Sequence, residues 1–411
     1  MNYWFRRIIS ASLSPNTRAE DGWTALRVLC TPWTWKHGTS VEAAANWFQY
    51  QYGIHDVVFF QSGRVALYEI LKSLSIGEGD EVLVQAFTCV AVPNSVLWVR
   101  AKPVYVDIDE SLNMDPEDIA KKITPRTKAL IVQHTLGTPA DMKAIMGIAK
   151  KHKLLVIEDC AHAIGATYDG KKLGTLGDAA FFSFGRDKAV SSVWGGAATV
   201  NGSFRERTAG KLLKRASQTL PQPGYFWIFQ QVLHPIAFTV ILPLYNSGIG
   251  KALLLSLQRV GLLSKPVAPV ELHGGVPDGC MTQYPNGLAQ LLIVQLRKLP
   301  EMIRIRKESA EYYAKHLPTS LVRTQRKIGA SYLRYAVLAD EPLDYRKRAK
   351  KHGVLLGNWY HNVIDPKHTD MPAVGYVAGS CPRAESVASR ILNLPTLLSD
   401  TDRATVVEIV R

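Results

Sequence analysis

The 411 residues carry 47% hydrophobic and 20% charged side chains, the balance of a globular chain rather than a disordered one, and the length suggests two or three domains. Five cysteines (Cys30, Cys89, Cys160, Cys280, Cys381) without a CxxC spacing argue against a disulfide framework and a zinc site, and point to a reducing, cytoplasmic setting. The net charge of +14 admits nucleic acid, anionic lipid, a phosphorylated substrate or a merely solvated basic surface, but no zinc-finger spacing, RNA-binding sheet signature or long basic run singles out nucleic acid, which is not expected as a partner.

The chain opens on MNYWFRRIIS, two arginines with no apolar stretch after them, so no secretory signal is expected. Residues 1–56 are read as an N-terminal segment. From Val57 to Val200 short apolar runs alternate with helical patterns. The runs are VVFF (57–60), EVLV (81–84), VYVD (104–107), ALIVQ (129–133), LLVIE (154–158), AAFFSF (179–184) and AATV (197–200). Between them RVALYEILKSL (64–74), DPEDIAKKI (115–123) and DMKAIMGIAKKH (141–152) repeat apolar residues every three to four positions, the period of a helix. This order predicts right-handed crossovers and a mainly parallel sheet in an α/β domain over 57–215, with ligands beyond the carboxyl ends of the strands.

Residues 216–270 are read as an apolar insertion or linker. Ala216 to Gly250 holds no Asp, Glu, Lys or Arg, and YFWIFQQVLHPIAFTVILPL (225–244) has the length of a membrane span. Its two glutamines, histidine and two prolines make it a poor one, and a span here would place the two modules on opposite sides of a bilayer. Burial or a partner-facing role is one reading. The other is peripheral membrane contact through 225–263, at the inner face of the membrane, helped by Arg205, Arg207, Lys211, Lys214, Arg215, Lys251, Arg259 and Lys265. From 271 to 411 a small α+β domain is expected. It has a long helical pattern (287–317) interrupted by Pro300, then RYAVLA (334–339) and VLLGNWY (354–360) as strands around a basic helix (344–352).

Three features at the strand ends carry chemistry. After VVFF, Gln61-Ser62-Gly63-Arg64 leads into a helix, a place where free N–H groups bind phosphate or where Ser62 is a plain N-cap. LLVIE ends in Asp159, with His162 three residues on. A buried acid there can hold a protonated ring nitrogen, or it caps the following turn, and His162 alone reads as a packed histidine. AAFFSF runs into Gly185-Arg186-Asp187-Lys188 and then Trp194-Gly195-Gly196. A lysine there forms a Schiff base if its surroundings lower its pKa, and is otherwise solvated. A phosphate cup, an acid and a lysine arrive at one edge of one sheet.

This set resembles the DegT/DnrJ/StrS sugar aminotransferases, pyridoxal-phosphate enzymes of fold type I. The similar stretches are FFQSGRVALYEIL (59–71), GEGDEVLVQAFTCVAVPNSVL (77–97), AKPVYVDID (101–109), IEDCAHAIGATYDGKKLGTLGDAAFFSFGRDK (157–188) and GGAATVNG (195–202), with a looser match from Pro285 to NLPT (393–396). The resemblance implies an aspartate-aminotransferase-like large domain with a mainly parallel seven-stranded sheet, and a smaller α+β C-terminal domain. It implies pyridoxal 5'-phosphate as cofactor and no metal, with Lys188 as the imine lysine, Asp159 on the pyridine nitrogen and His162 beside the ring hydroxyl. Ser183 with Ser62, Gly63 and Arg64 would hold the phosphate. Cys89 stands where the family places an aromatic ring over the cofactor, with Phe87 two residues earlier as a substitute. The family's Gly-x-Asn-x-Arg segment falls near Gly279, Met281 and Gln283, without its Asn or Arg. The implied partners are a nucleotide-linked keto sugar, glutamate as amino donor, and a second copy of the chain in a homodimer. The competing readings are a sugar dehydratase, which would carry histidine in place of Lys188, and a non-catalytic membrane-associated scaffold.

Overall fold

The computed structural model describes residues 7–54, 56–201, 204–323 and 328–411, with the side chains of 204–207 and 322–323 left aside. The start of MNYWFRRIIS, Gly202 and the side chains of Arg205 and Arg207 therefore lie outside the described residues.

Seven strands form the main sheet: β1 (Val57–Phe60), β2 (Glu81–Gln85), β3 (Lys102–Val106), β4 (Thr127–Gln133), β5 (Leu155–Asp159), β6 (Ala179–Ser183) and β7 (Gly196–Val200). Their spatial order is β1, β7, β6, β5, β4, β2, β3. Neighbours from β6 to β3 run parallel, while β7 is antiparallel to both β6 and β1. Each of the seven apolar runs is thus a strand, and the β-branched, doubly buried sequences of β2 and β4 are those of central strands covered on both faces. Of the crossover helices α3 (Gly63–Ser73), α4 (Ala91–Trp98), α5 (Pro116–Lys122) and α6 (Met142–His152), all but α4 start where the chain supplies a side-chain cap. Ser62 accepts from the Val65 N–H at 3.4 Å, Asp115 from Glu117 at 2.9 Å, and Asp141 from Ala144 at 3.2 Å.

Ahead of the sheet, α1 (Ala19–Leu29) and α2 (Ser40–Tyr52) pack on the far layer, and Ile9–Ser10 pairs in parallel with Val354–Leu355, tying the N-terminal segment to the C-terminal one. After β7 come α7 (Phe204–Thr219), α8 (Tyr225–Ile241) and α9 (Ile249–Arg259). The apolar segment is therefore a helical hairpin. Ile228, Val232, Phe238 and Ile241 of α8 are buried against α1 and the core, and Gln231 and His234 are buried with them. Among the described residues, no helix is long and apolar enough to cross a membrane.

The C-terminal part is built on α10 (Asn286–His316), which passes through Pro300 without a break. The expected interruption is absent: the exposed Pro300 costs the helix one N–H bond, and the turns on either side continue through it. Behind α10, β8 (Val322–Arg323), β9 (Tyr335–Leu338) and β10 (Ile391–Leu394) form an antiparallel sheet, and α11 (Pro342–Lys351), α12 (Pro382–Arg390) and α13 (Asp400–Val410) complete the unit. The run VLLGNWY is extended only over Val354–Leu355. Gly357 then exchanges two backbone bonds with Asn393, at 2.8 and 3.0 Å, and Trp359-Tyr360 turn toward the main sheet.

Candidate active site

At the carboxyl ends of β5 and β6 a cavity of about 290 Å³ is lined by Ser62, Gly63, Arg64, Cys89, Asp159, His162, Ser183 and Lys188. Eight of the nine expected site residues thus converge, drawn from four strand ends by the parallel topology.

Asp159 closes β5. Its Oδ1 accepts the Ala161 N–H at 2.9 Å. Burial pushes its carboxyl up, opposed by that bond and by the charges of Lys188 and His134. Lys188 ends the loop after β6. Burial lowers its amine, while Cys89 and Asp159 pull the other way, and Nζ lies 4.9 Å from the centre of the Trp359 ring. Asn16 anchors the loop by donating to the carbonyls of Lys188 and Ala189 at 2.7 and 2.9 Å.

His162 is buried. Its Nδ1 accepts the Leu136 N–H at 3.3 Å, so the ring proton sits on Nε2, 3.2 Å from the Tyr360 hydroxyl. Burial, with Lys188 and Arg334 nearby, holds its pKa well below the ordinary value, and its ring stacks on Trp359 at 5.3 Å and 16°.

At the other end, Ser62 caps α3, and the first-turn N–H groups of that helix have no acceptor within it. Backbone must approach closely here. A Cβ at Gly63 would sit 3.0 Å from Ser183 Cβ, and one at Gly196 only 2.4 Å from the Gly63 nitrogen. The Arg64 guanidinium turns away from the turn. It pairs with the buried Glu271, donates to the Pro266 carbonyl at 2.8 Å and lies 5.3 Å over Trp194.

Phe87 is the exception. Its backbone takes φ +65° at the end of β2 and its ring is fully buried, edge-on to Tyr360 at 5.4 Å. That left-handed turn aims Cys89 at the cavity and Phe87 into the core, so Phe87 does not replace the missing ring. The rings on the cavity besides His162 are Phe181, Trp194, Trp359 and Tyr360, with Arg334 stacked 3.5 Å over Trp359. Sequence reasoning named Arg186 and Trp194 in the Lys188 loop without a role, and missed Phe181, Pro266, Val267, Arg334, Trp359, Tyr360 and Asp365. The adjacent aromatic residues of GNWYHN, two positions after its single glycine, are the one local signal for a loop at the cavity.

The residues expected at Gly279, Met281 and Gln283 are used internally. Gln283 donates to the Gln218 and Leu220 carbonyls and accepts from Gln222. A buried trio, His134, Glu158 and Cys160, has the proximity of metal ligands. Its carboxylate, however, accepts from the backbone of Gly174, Leu176 and Gly177 as well as from His134. Burial alone would raise Glu158; these bonds hold it down.

The donor set suits an aldehyde cofactor with a phosphate ester and a basic ring nitrogen. Lys188 is a buried amine, Asp159 a buried carboxylate with no cation bonded to it, and the α3 N-terminus an anion cup flanked by Ser183.

The model of the DegT/DnrJ/EryC1/StrS aminotransferase family matches residues 16–222 and 278–411. GDP-perosamine synthase of Caulobacter vibrioides is 41% identical over 43% of this chain and 48% of its own. UDP-N-acetyl-3-dehydro-alpha-D-glucosamine 3-aminotransferase of Acidithiobacillus ferrooxidans is 46% identical over 36% of this chain and 40% of its own. The chain thus spans about half the length of the curated relatives it matches. Over nearly the full length, the crystal structure of the aminotransferase TlmJ from Streptoalloteichus hindustanus superposes with a TM-score of 0.74 at 26% identity, covering 99% of this chain and 98% of that one. With the family matched on both sides of the inserted hairpin, the chain belongs to the DegT/DnrJ/EryC1/StrS aminotransferase family.

Proposed function

We propose that the chain is a pyridoxal 5'-phosphate-dependent aminotransferase that moves an amino group from glutamate to a keto sugar carried on a nucleotide, for amino-sugar or surface-polysaccharide synthesis. Lys188 and Asp159 sharing one buried cavity beside a phosphate-binding turn is the observation that carries this reading. The names of the relatives support the substrate class.

Pyridoxal phosphate, when bound, supplies an aldehyde for amine capture and a ring that accepts electrons. Lys188 supplies the nucleophile, since burial favours its neutral amine. With the cofactor held in the cavity, Lys188 Nζ would stand where it can move a proton at the substrate carbon. Asp159 would hold the ring nitrogen of the cofactor, and a positive charge there would offset the cost of burying the carboxylate. His162, neutral and bonded at both nitrogens, orients rather than relays protons. The backbone of Ser62-Gly63-Arg64 and the Ser183 hydroxyl bind the phosphate, whereas the Arg64 side chain, committed to Glu271, contributes less charge than the sequence suggested.

Loading with pyridoxal phosphate should give a visible absorbance, and borohydride should then fix the label on Lys188, with Lys188→Ala colourless. A peptide map placing the label elsewhere refutes the assignment, and failure to aminate any nucleotide keto sugar with glutamate refutes the reaction.

We also infer a homodimer and peripheral contact with the inner face of the membrane through 225–263. Supporting the contact are the exposed apolar side chains of α8, Tyr225, Phe226 and Val240, with Phe226 61% and Val240 51% exposed.

A further inference from the structure

The hairpin α8–α9 and the segment after it, residues 223–277, fall in the gap between the two stretches that match the family. This gap does not merely loop out. Its last part, Ser264 to Gly274, returns across the mouth of the cavity and is fastened at several points. The Ser264 carbonyl and hydroxyl both accept from Arg186, and the same hydroxyl accepts from Trp194 Nε1 at 3.3 Å and donates to Gln231 of α8 at 2.8 Å. Glu271, 1% exposed, pairs with Arg64 and also accepts the Ala268 N–H at 2.7 Å. The Glu271 and Gly274 carbonyls accept from Asn94 at 2.9 Å and Trp98 at 3.2 Å. Between Ser264 and Glu271, Pro266 and Val267 face the cavity.

Arg64 on α3, and Arg186 and Trp194 on the loop between β6 and β7, stand at the rim, and each gives a donor to this strap. A segment serving only to pack would not take up the rim donors of a ligand cavity. Across the opening, Trp359 and Pro366 line the other side. A ligand short enough to stay near Lys188 and Asp159 does not need this passage. A sugar on a nucleotide carrier does, because the carrier must run outward past the rim.

We propose that the strap Ser264–Gly274, with Val267 at its centre, is the acceptor-facing wall that selects the nucleotide-linked substrate, and that Ser264 and Glu271 position it. This rests on the aminotransferase reading for the reaction, though not for the binding test.

The test uses the cofactor-loaded full chain and Val267→Trp, with Ser264→Ala as a second variant. Visible absorbance, cofactor dissociation, and the rate of the spectral change driven by glutamate report on the inner cavity. Calorimetry with GDP and with UDP reports on the passage, as does the acceptor KM once an acceptor is known. Val267→Trp should weaken nucleoside diphosphate binding or raise the acceptor KM about tenfold or more, with the three inner readouts within about twofold of the parent. Ser264→Ala should do the same more weakly. Inner and outer readouts falling together would mean that the strap is only structural, and nucleoside diphosphate binding that is absent in the parent or indifferent to Val267→Trp would overturn the proposal. If the parent binds nucleotide but shows no amine transfer, the reaction fails and the wall stands.

Discussion

Among the described residues, His162 and His234 are the two imidazoles that burial holds well below the usual histidine range, reinforced by Lys188 and Arg334 at the first and by Arg186 at the second. His234, on α8, meets the Ser14 hydroxyl at 2.8 Å through Nε2 and stacks on Phe238 at 4.0 Å. In the unfolded chain such a histidine takes up a proton near pH 6.5, while in the folded chain it does not. The unfolded state then binds more protons below that pH, so stability falls as pH falls, by up to about 1.4 kcal/mol per pH unit for each histidine. Asp159 and Asp187 oppose this trend, because burial raises both. Comparison with a variant isolates the term. His234→Gln should be less stable at pH 7.5 but should lose less between pH 6.5 and 5 than the parent does, as read from urea midpoints. Parallel pH profiles for the two proteins would show that His234 is not neutral in the folded state.

At the level of elements, α10 invites a test because proline is rare inside helices. Pro300 leaves the Leu296 carbonyl without its helical N–H, at a cost of up to about 3 kcal/mol in a regular helix, while the exposed ring contributes little packing. Pro300→Ala should restore the bond and outweigh the added freedom of the unfolded chain, about 1 kcal/mol. A rise of about 1–2 kcal/mol in unfolding free energy is expected, and a drop would mean that the ring holds a bend the fold requires. The strands and the Lys188, Asp159 and Ser62 placements were legible because each depends on residues adjacent in the chain: a β-branched run, then a polar residue where it ends. Phe87 was not, since the side it faces turns on one backbone angle that the pattern of apolar residues does not encode. Trp359, Tyr360 and Glu271 were hidden for another reason. They lie 171, 172 and 83 residues from Lys188 in number, and only the docking of the C-terminal unit and the return of the strap bring them to the cavity. The apolar insertion was legible as neither a span nor a core helix, because one face of α8 is buried and the other is not.

For the molecule as a whole, charge and apolar surface coincide in the same stretch. From Arg207 to Val270 there is no acidic residue, while Lys211, Lys214, Arg215, Lys251, Arg259 and Lys265 are all basic. On α9 the outward Ile249 and Leu255 are 59% and 44% exposed and stand beside Lys251 and Arg259. Inserting an exposed phenylalanine into an interface gains about 2 kcal/mol, and each basic group near an anionic surface about 1 kcal/mol. The sum for Phe226, Val240 and a few of these cations is enough for reversible attachment and far short of permanent insertion. Vesicles containing phosphatidylserine should therefore pull the protein down at low salt and release it at about 0.5 M salt, where screening is nearly complete, and neutral vesicles should not. Replacing Tyr225, Phe226 and Val240 together with serine should abolish pelleting while leaving the oligomeric state in sedimentation unchanged. Binding that survives the triple change, or equal binding to neutral lipid, would remove the membrane as the occupant of this face. Dissociation of a dimer by the same change would instead assign this face to the boundary between two copies, where burial of like-charged α9 surfaces would have to be offset by apolar contact alone.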